Sequence, residues 1–151
     1  MTEARTTEDR IIVEIHIAAP PEAVFDALTD PDRIVEWWGD EEYYETEEAE
    51  VELRVGGRWR AAGRNSDGSP FSVTGEYRDV ERPRLLSYTW DPTWAEWERE
   101  EPSLVTISLE PETDGTRLTL VHEGFAGYEK DREDHAEGWP FVLELLKEHL
   151  E

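Results

Sequence analysis

The sequence predicts an α+β fold, in which an antiparallel sheet of about six or seven strands is covered by one long C-terminal helix. Segments of alternating apolar and polar residues follow one another between residues 10 and 123. Their connections are of hairpin length, which requires antiparallel pairing. Residues 131–151 instead carry large apolar residues at intervals of three and four, the spacing of an amphipathic helix. A single helix of this kind is expected to pack across one face of the sheet.

The N-terminal part of the chain is predicted to contain one strand and two short helices. Residues 1–9 are polar and are expected to form a flexible terminus before a single domain of residues 10–151. Apolar residues alternate with polar ones over residues 13–17, which predicts a strand with one buried face. Pro20 and Pro21 begin a helix, and Asp30 with Pro31 caps and begins a second helix that ends near Gly39.

The remaining strands are predicted from the same alternation. They cover residues 51–55, 58–63, 71–80, 85–90, 104–109 and 116–123. Residues 40–50 are strongly acidic, and Tyr43 and Tyr44 are candidates to begin another strand within this run. Gly56-Gly57 is expected to form a tight hairpin turn. A long polar connection at residues 91–102 holds Trp94 and Trp97, which cover the mouth of a cavity, form a protein-contact patch or fold back onto the sheet.

The C-terminal helix contains two residues that interrupt a regular pattern. Pro140 lacks a backbone donor and Gly138 lacks a side chain. Two interpretations are open: a helix of roughly five turns that continues through Pro140, or a helix whose regular part begins at Trp139. His135 lies on the same face as Trp139 only if the helix is continuous.

Composition excludes several classes of function. The formal net charge is −23, from 38 acidic and 15 basic residues, and such a field repels nucleic acid. There is no Cys, so disulfides and thiolate metal sites are excluded. No apolar run approaches the roughly 20 residues of a membrane helix, and the N-terminus does not have the pattern of a signal peptide. We therefore expect a soluble, cytoplasmic protein, monomeric or homodimeric, without membrane insertion.

Three explanations of the acidity remain open. Much Glu with little Lys is typical of a chain adapted to high salt, where screening removes self-repulsion. Surface engineering for solubility would produce the same composition. The third explanation is an ordinary acidic protein.

Segments spread over nearly the whole chain resemble a known family. The sequence is similar to the START-like, or SRPBCC, superfamily with its helix-grip fold, and within it to the family named for the activator of the heat-shock-protein-90 ATPase. The segments that carry the resemblance are Pro21 to Pro31, Trp37-Trp38, Val55 to Trp59, Gly75 with Arg82-Pro83, Tyr88 to Trp90, Gly115 to Leu120, His122 to Phe125, and Gly138-Trp139.

The resemblance implies a cavity for an apolar small molecule between the sheet and the C-terminal helix. The superfamily includes lipid and hormone carriers, polyketide aromatase/cyclases, ring-hydroxylase subunits and co-chaperone domains. The family has no shared catalytic motif that can be transferred to this sequence, and no cofactor is predicted. Because one fold supports many functions, the resemblance does not decide among them.

The candidate ligand-binding residues are those that strand or helix periodicity places inward. They are predicted to be Trp59, Phe71, Tyr77, Tyr88, Trp90, His122 and Trp139. The alternative is that the aromatic residues simply fill the core. His122 is the candidate acid or base, with Tyr88 as its partner, or else a structural histidine bonded to Trp, Tyr or backbone. No HExxH or similar spacing is present, so no metal site is predicted.

Three hypotheses of function follow. The first is a binding protein for an apolar or aromatic small molecule, which predicts a hydrophobic pocket with few polar groups. The second is a cyclase- or isomerase-like enzyme in the same cavity, which predicts that His122 and another titratable group converge. The third is a co-chaperone-like protein-interaction domain, which predicts a closed core and an exposed aromatic patch. No catalytic motif supports the second hypothesis.

Overall fold

A computed structural model describes residues 2–94 and 101–151 of the chain. These residues form nine strands and three helices. In chain order they are β1 (Ala4–Thr6), β2 (Arg10–Ile17), α1 (Pro21–Thr29), α2 (Pro31–Trp37), β3 (Gly39–Asp40), β4 (Tyr44–Val51), β5 (Arg58–Asn65), β6 (Pro70–Glu81), β7 (Leu85–Pro92), β8 (Ser103–Glu112), β9 (Gly115–Glu123) and α3 (Glu129–Leu150).

The strands form one curved antiparallel sheet, and the predicted helix-grip fold is confirmed. Their order across the sheet is β1-β2-β9-β8-β7-β6-β5-β4-β3. The predicted number of six or seven strands is wrong, because β1 and β3 add a three-residue and a two-residue strand at the two ends of the sheet. Neither segment is long enough to show alternation. The strand β1 lies within residues 1–9, where the sequence predicted a flexible terminus.

The strand β4 begins at Tyr44, one of the two residues that the sequence offered as the start of a strand, whereas residues 52–55, predicted as strand, lie outside it. Val51 pairs with Trp59, so the connection to β5 spans residues 52–57 and is not a tight Gly-Gly turn. Leu53 and Val55, which alternate like strand residues, are exposed in this connection. The strand itself occupies the acidic run, where Thr46 is its buried residue and the register shifts between Thr46 and Glu48. Glutamate-rich strands with small inward residues are poorly signalled by apolar alternation.

The two short helices bring both adjacent tryptophans into contact with the core. The side chain of Asp30 accepts a hydrogen bond from the Asp32 amide at 3.0 Å, which confirms the predicted cap of α2. Trp37 is buried, and its indole nitrogen donates to the Ala27 carbonyl at 2.8 Å. Trp38 follows the last helical residue in extended conformation, so its ring can turn and stack on Trp37 at 5.3 Å.

The C-terminal helix α3 is continuous from Glu129 to Leu150 and contains Pro140 in its interior. The interpretation in which the regular helix begins at Trp139 is therefore wrong. Its buried residues recur at intervals of three and four, as the sequence predicted: His135, Trp139, Val142, Leu143 and Leu146. The helix lies against β2 and against both short helices. No helix among the described residues is long and apolar enough to cross a membrane.

The high negative charge leads to a prediction about stability. Raising potassium chloride from about 0.1 M to about 1 M shortens the screening length from about 10 Å to about 3 Å. We expect the melting temperature to rise by about 4 °C or more, roughly 1 kcal/mol for a domain of this size, because self-repulsion is screened. Calorimetry in potassium chloride measures this shift. An unchanged melting temperature over this range would show that charge repulsion does not limit stability.

Candidate functional site

An aromatic cleft of about 260 Å³ lies between the sheet and α3. Its walls come from the end of α2, from β4 to β7, and from one face of α3. Most of the lining is apolar. The lining residues are Trp38, Tyr44, Asn65, Phe71, Trp90, Trp94, Asp134, His135, Gly138, Trp139 and Val142.

Three tryptophans form the inner wall of the aromatic cleft. Trp38 stacks on Trp90 with ring centroids 6.0 Å apart and an interplanar angle of 16°. Trp139 of α3 lies 4.9 Å from Trp90 and 6.1 Å from Trp38, with its ring tilted against both. Trp90 and Trp139 are buried, and Trp38 is partly exposed. The wall therefore joins α2, the middle of the sheet and α3 in one aromatic cluster.

The outer rim of the cleft combines aromatic and polar residues. Phe71 packs edge-on against Tyr44 at 5.4 Å and against Trp94 at 6.0 Å. Trp94 is 47% exposed, so it lies at the mouth and not in the core. Asn65 and Asp134 are exposed on the two sides of the mouth. Trp97 falls outside the described residues. Of the three places considered for Trp94, the structure shows the cavity mouth.

A chain of hydrogen bonds fixes the inner wall from behind. The indole of Trp139 donates to His122 Nδ1 at 2.9 Å, so that nitrogen carries no proton, because an indole N–H can only donate. His122 therefore holds its proton on Nε2 and donates it to Ser103 Oγ at 2.9 Å. Ser103 in turn donates to the Trp90 carbonyl at 3.0 Å.

The chain continues on the other side of Trp90. The indole of Trp90 donates to His135 Nε2 at 3.1 Å, and His135 Nδ1 donates to the Asp131 carbonyl at 2.7 Å. Each histidine accepts from an indole N–H, which can only donate, so both rings are held as neutral tautomers. Burial lowers the pKa of His135, an effect that the neighbouring Asp131 and Asp134 oppose.

The structure divides the seven predicted ligand-binding residues into two groups of three, and leaves His122 outside both. Phe71, Trp90 and Trp139 line the aromatic cleft. Trp59, Tyr77 and Tyr88 instead surround a separate void of about 20 Å³, which lies on another side of Trp38. This void has room for about one water molecule and not for a ligand. His122 is fully buried and is not among the lining residues. His135 instead occupies the position in the wall that was expected for His122.

The three aromatic residues around the small void are deeply buried. Burial raises the pKa of Tyr77 and of Tyr88, and in Tyr88 the nearby Tyr77 raises it further. The Trp59 indole nitrogen is buried, and no described residue accepts its proton. Burial also raises the pKa of Tyr44, in the wall of the aromatic cleft, to about 12, so its hydroxyl stays protonated.

Sequence reasoning missed several lining residues. Trp38, Tyr44, Asn65, Asp134 and Val142 were not predicted to bind a ligand. The tryptophan pair at 37–38 was a usable signal, since only one member can occupy the helix face. His135 and Gly138 were singled out, but their place depended on whether the helix continued through Pro140. Among the described residues, no cluster of acidic or histidine side chains could hold a metal ion.

Comparisons with known proteins agree with this architecture. The family described as activator of Hsp90 ATPase homolog 1-like protein matches residues 18–151. The chain belongs to this family. No curated protein is significantly similar to it.

Solved structures resemble the chain over nearly its whole length. A protein from Rhodobacter sphaeroides is 23% identical, with 99% of this chain and 95% of that chain covered and a TM-score of 0.83. An AHSA1-like protein from Aeromonas hydrophila is 27% identical, with 93% and 90% covered and a TM-score of 0.76. An AHSA1 protein from Silicibacter pomeroyi is 28% identical, with 93% and 96% covered and a TM-score of 0.78.

The lowered pKa of His135 predicts a pH dependence of stability. The unfolded chain takes up a proton near the ordinary pKa of about 6.5, whereas folded His135 takes it up only at lower pH. The unfolded state then binds more protons, so stability falls as pH drops below about 6.5, by at most about 1.4 kcal/mol per pH unit from this group.

Denaturant unfolding between pH 7.5 and 5 measures this effect. In His135→Gln, glutamine can still accept from the Trp90 indole but does not titrate. We expect this variant to lose less stability than the wild type across the window. His149→Gln, which removes a histidine near the other end of α3, is the matched control for the substitution itself. Equal slopes for the wild type and His135→Gln would contradict the account of His135.

Proposed function

We propose that the protein binds a flat apolar or aromatic small molecule in the aromatic cleft. The observation that carries this proposal is a cleft of about 260 Å³ walled by the Trp38, Trp90 and Trp139 rings. Its volume is close to the lower end of known ligand pockets, about 300 Å³. Stacked rings on one wall suit a planar partner, since aromatic pairs prefer offset-stacked or edge-to-face contacts.

A glycine in the middle of α3 supports the same proposal. Glycine in a helix interior destabilises by roughly 0.5–1 kcal/mol relative to alanine. Gly138 does not serve packing against the described residues, because a Cβ atom added there would meet none of their atoms within 4 Å. It does line the aromatic cleft. The missing side chain leaves space in the cleft, which is the place where a ligand needs it.

The geometry favours binding over the enzyme hypothesis. Both ring nitrogens of His122 are engaged, one by Trp139 and one by Ser103. Tyr88 lies two strands away from His122, with Val105 paired between them, a separation of roughly 10 Å between backbones. A general base needs a free nitrogen within hydrogen-bond reach of the substrate, and His122 would first have to leave its two partners.

The protein-interaction hypothesis receives less support from the described residues. It predicts a closed core with an exposed aromatic patch, whereas the aromatic rings surround an open cleft. Large exposed apolar residues are Tyr43, Leu53, Val55 and Trp94. Trp94 belongs to the cleft mouth, and Leu53 and Val55 lie in the turn between β4 and β5.

Titration with N-phenyl-1-naphthylamine, a neutral dye that fluoresces in apolar surroundings, tests the proposal. We expect the dye to bind the wild type with increased, blue-shifted emission. Gly138→Phe should weaken binding by about tenfold or more, equivalent to about 1.4 kcal/mol, because the new ring fills the cleft. Gly138→Ala, a milder change, should raise the unfolding free energy by roughly 0.5–1 kcal/mol.

Glu137→Phe is the matched control, since it adds the same ring at an exposed position of the same helix turn, outside the lining. It should bind the dye as the wild type does. The proposal is wrong if the wild type does not enhance the emission, or if Gly138→Phe binds the dye as tightly as Glu137→Phe.

A further inference from the structure

The charges around the aromatic cleft have one sign. Among the described lining residues Asp134 is the one formally charged group, and none is Lys or Arg. The carboxylate of Asp134 makes no ion pair or side-chain hydrogen bond with any described residue. His135 is held neutral by the Trp90 donor. An anionic ligand would therefore meet a carboxylate and no cationic side chain among the described lining residues, in a protein of net charge −23.

A second depression of about 280 Å³ continues outward from the mouth. It shares Trp94 and Asp134 with the aromatic cleft, and its further walls are polar. Glu129 and Asp131 add two carboxylates, and Lys130 adds one ammonium group. In the same helix turn, the Nη2 atom of Arg132 lies 3.8 Å from the Oε1 atom of Glu129 and forms an ion pair with it. Asp131 and Asp134 have no basic partner among the described ion pairs. The path from inside to outside thus changes from aromatic to acidic at Trp94 and Asp134.

The aromatic rings at this boundary also favour a cation. The face of a tryptophan ring attracts an ammonium group within about 6 Å of its centroid. Trp94 is half-exposed at the mouth, edge-on to Trp90 at 6.0 Å and nearly parallel to His135. A positive group at the mouth can therefore contact an indole and a carboxylate together, while an apolar body attached to it fills the cleft.

We propose that the ligand is an amphiphilic cation, a quaternary or protonated amine on a flat apolar body, with its charged group between Trp94 and Asp134. This inference rests on the proposed function, because it assigns a charge to the ligand of the same cleft. It commits to a small molecule, since the cleft encloses the apolar part and the acidic depression takes only the head.

Two isosteric probes separate charge from shape. Benzyltrimethylammonium and neopentylbenzene differ by a quaternary nitrogen in place of a carbon. Each is titrated against the dye-loaded protein, and its affinity is read from displacement of N-phenyl-1-naphthylamine. For each probe, the affinity of the wild type is divided by that of the variant, and the two ratios are compared. Because the hydration of a probe is the same in both titrations, it does not affect the ratio.

Asp134→Asn keeps the shape of the mouth and removes its charge. We expect it to weaken benzyltrimethylammonium by about three- to tenfold and neopentylbenzene by less than about twofold. Glu133→Gln is the matched control, because it removes the same charge from an exposed neighbour that does not line the cleft. It should change neither affinity by more than about twofold. Trp94→Leu, which keeps an apolar side chain but removes the ring face, should also weaken the cation more than its neutral isostere.

The outcomes distinguish the two proposals. If the dye binds in a Gly138-dependent manner but Asp134→Asn leaves the cation affinity unchanged, the ligand charge is wrong and the proposed function stands. Equal losses in Asp134→Asn and Glu133→Gln would reduce the effect to the general field of the protein and overturn the local site. If the wild type does not bind the dye, both proposals fail together.

Discussion

The aromatic cleft depends on the hydrogen-bonded chain that passes through Trp90. From one end of the ring system, Trp139 reaches the Trp90 carbonyl through His122 and Ser103. From the other end, the Trp90 indole reaches the α3 backbone through His135. These hydrogen bonds therefore connect α3 to β9, β8 and β7 in turn. Because every member is buried and partnered, moving any ring would leave an unsatisfied polar group, at a cost of about 1–3 kcal/mol.

This chain also explains why the cleft wall is apolar although two histidines lie close to it. The polar edges of Trp139 and His122 point at each other, and the polar edge of Trp90 points at His135. Their ring faces remain for packing, and Trp38 stacks on one of them. Gly138 then withholds a side chain from the space in front. A rigid wall reduces the ordering that a ligand must impose on binding, which favours the proposed site.

The fold could be predicted from the sequence to a large extent, whereas the site could be predicted only in part. Alternation placed Trp59, Tyr88 and Trp90 on inward faces, and all three are buried. Periodicity does not say which inward ring meets a void and which meets another ring. Trp59 and Tyr88 pack edge to face at 5.0 Å and close the space between them. The aromatic cleft lies instead on the other side of the Trp38 ring, whose position is set by the end of α2.

The helix α3 shows the same limit. Its apolar spacing predicted a helix, but its continuity through Pro140 decided whether His135 and Trp139 share a face. That continuity comes from tertiary packing, which can override the local preference of a proline. For His122, one alternative from the sequence was a structural histidine bonded to tryptophan, and the structure shows this bond.

The most direct test of this account is the response of the indole ¹H–¹⁵N NMR signals to N-phenyl-1-naphthylamine. We expect the signals of Trp38 and Trp94 to shift most, because their rings are the partly exposed members of the cleft lining. The Trp37 signal should stay in place, since its proton is held by the Ala27 carbonyl on the buried side of α2. Shifts confined to signals other than those of Trp38 and Trp94, or no shift at saturating dye, would contradict the account.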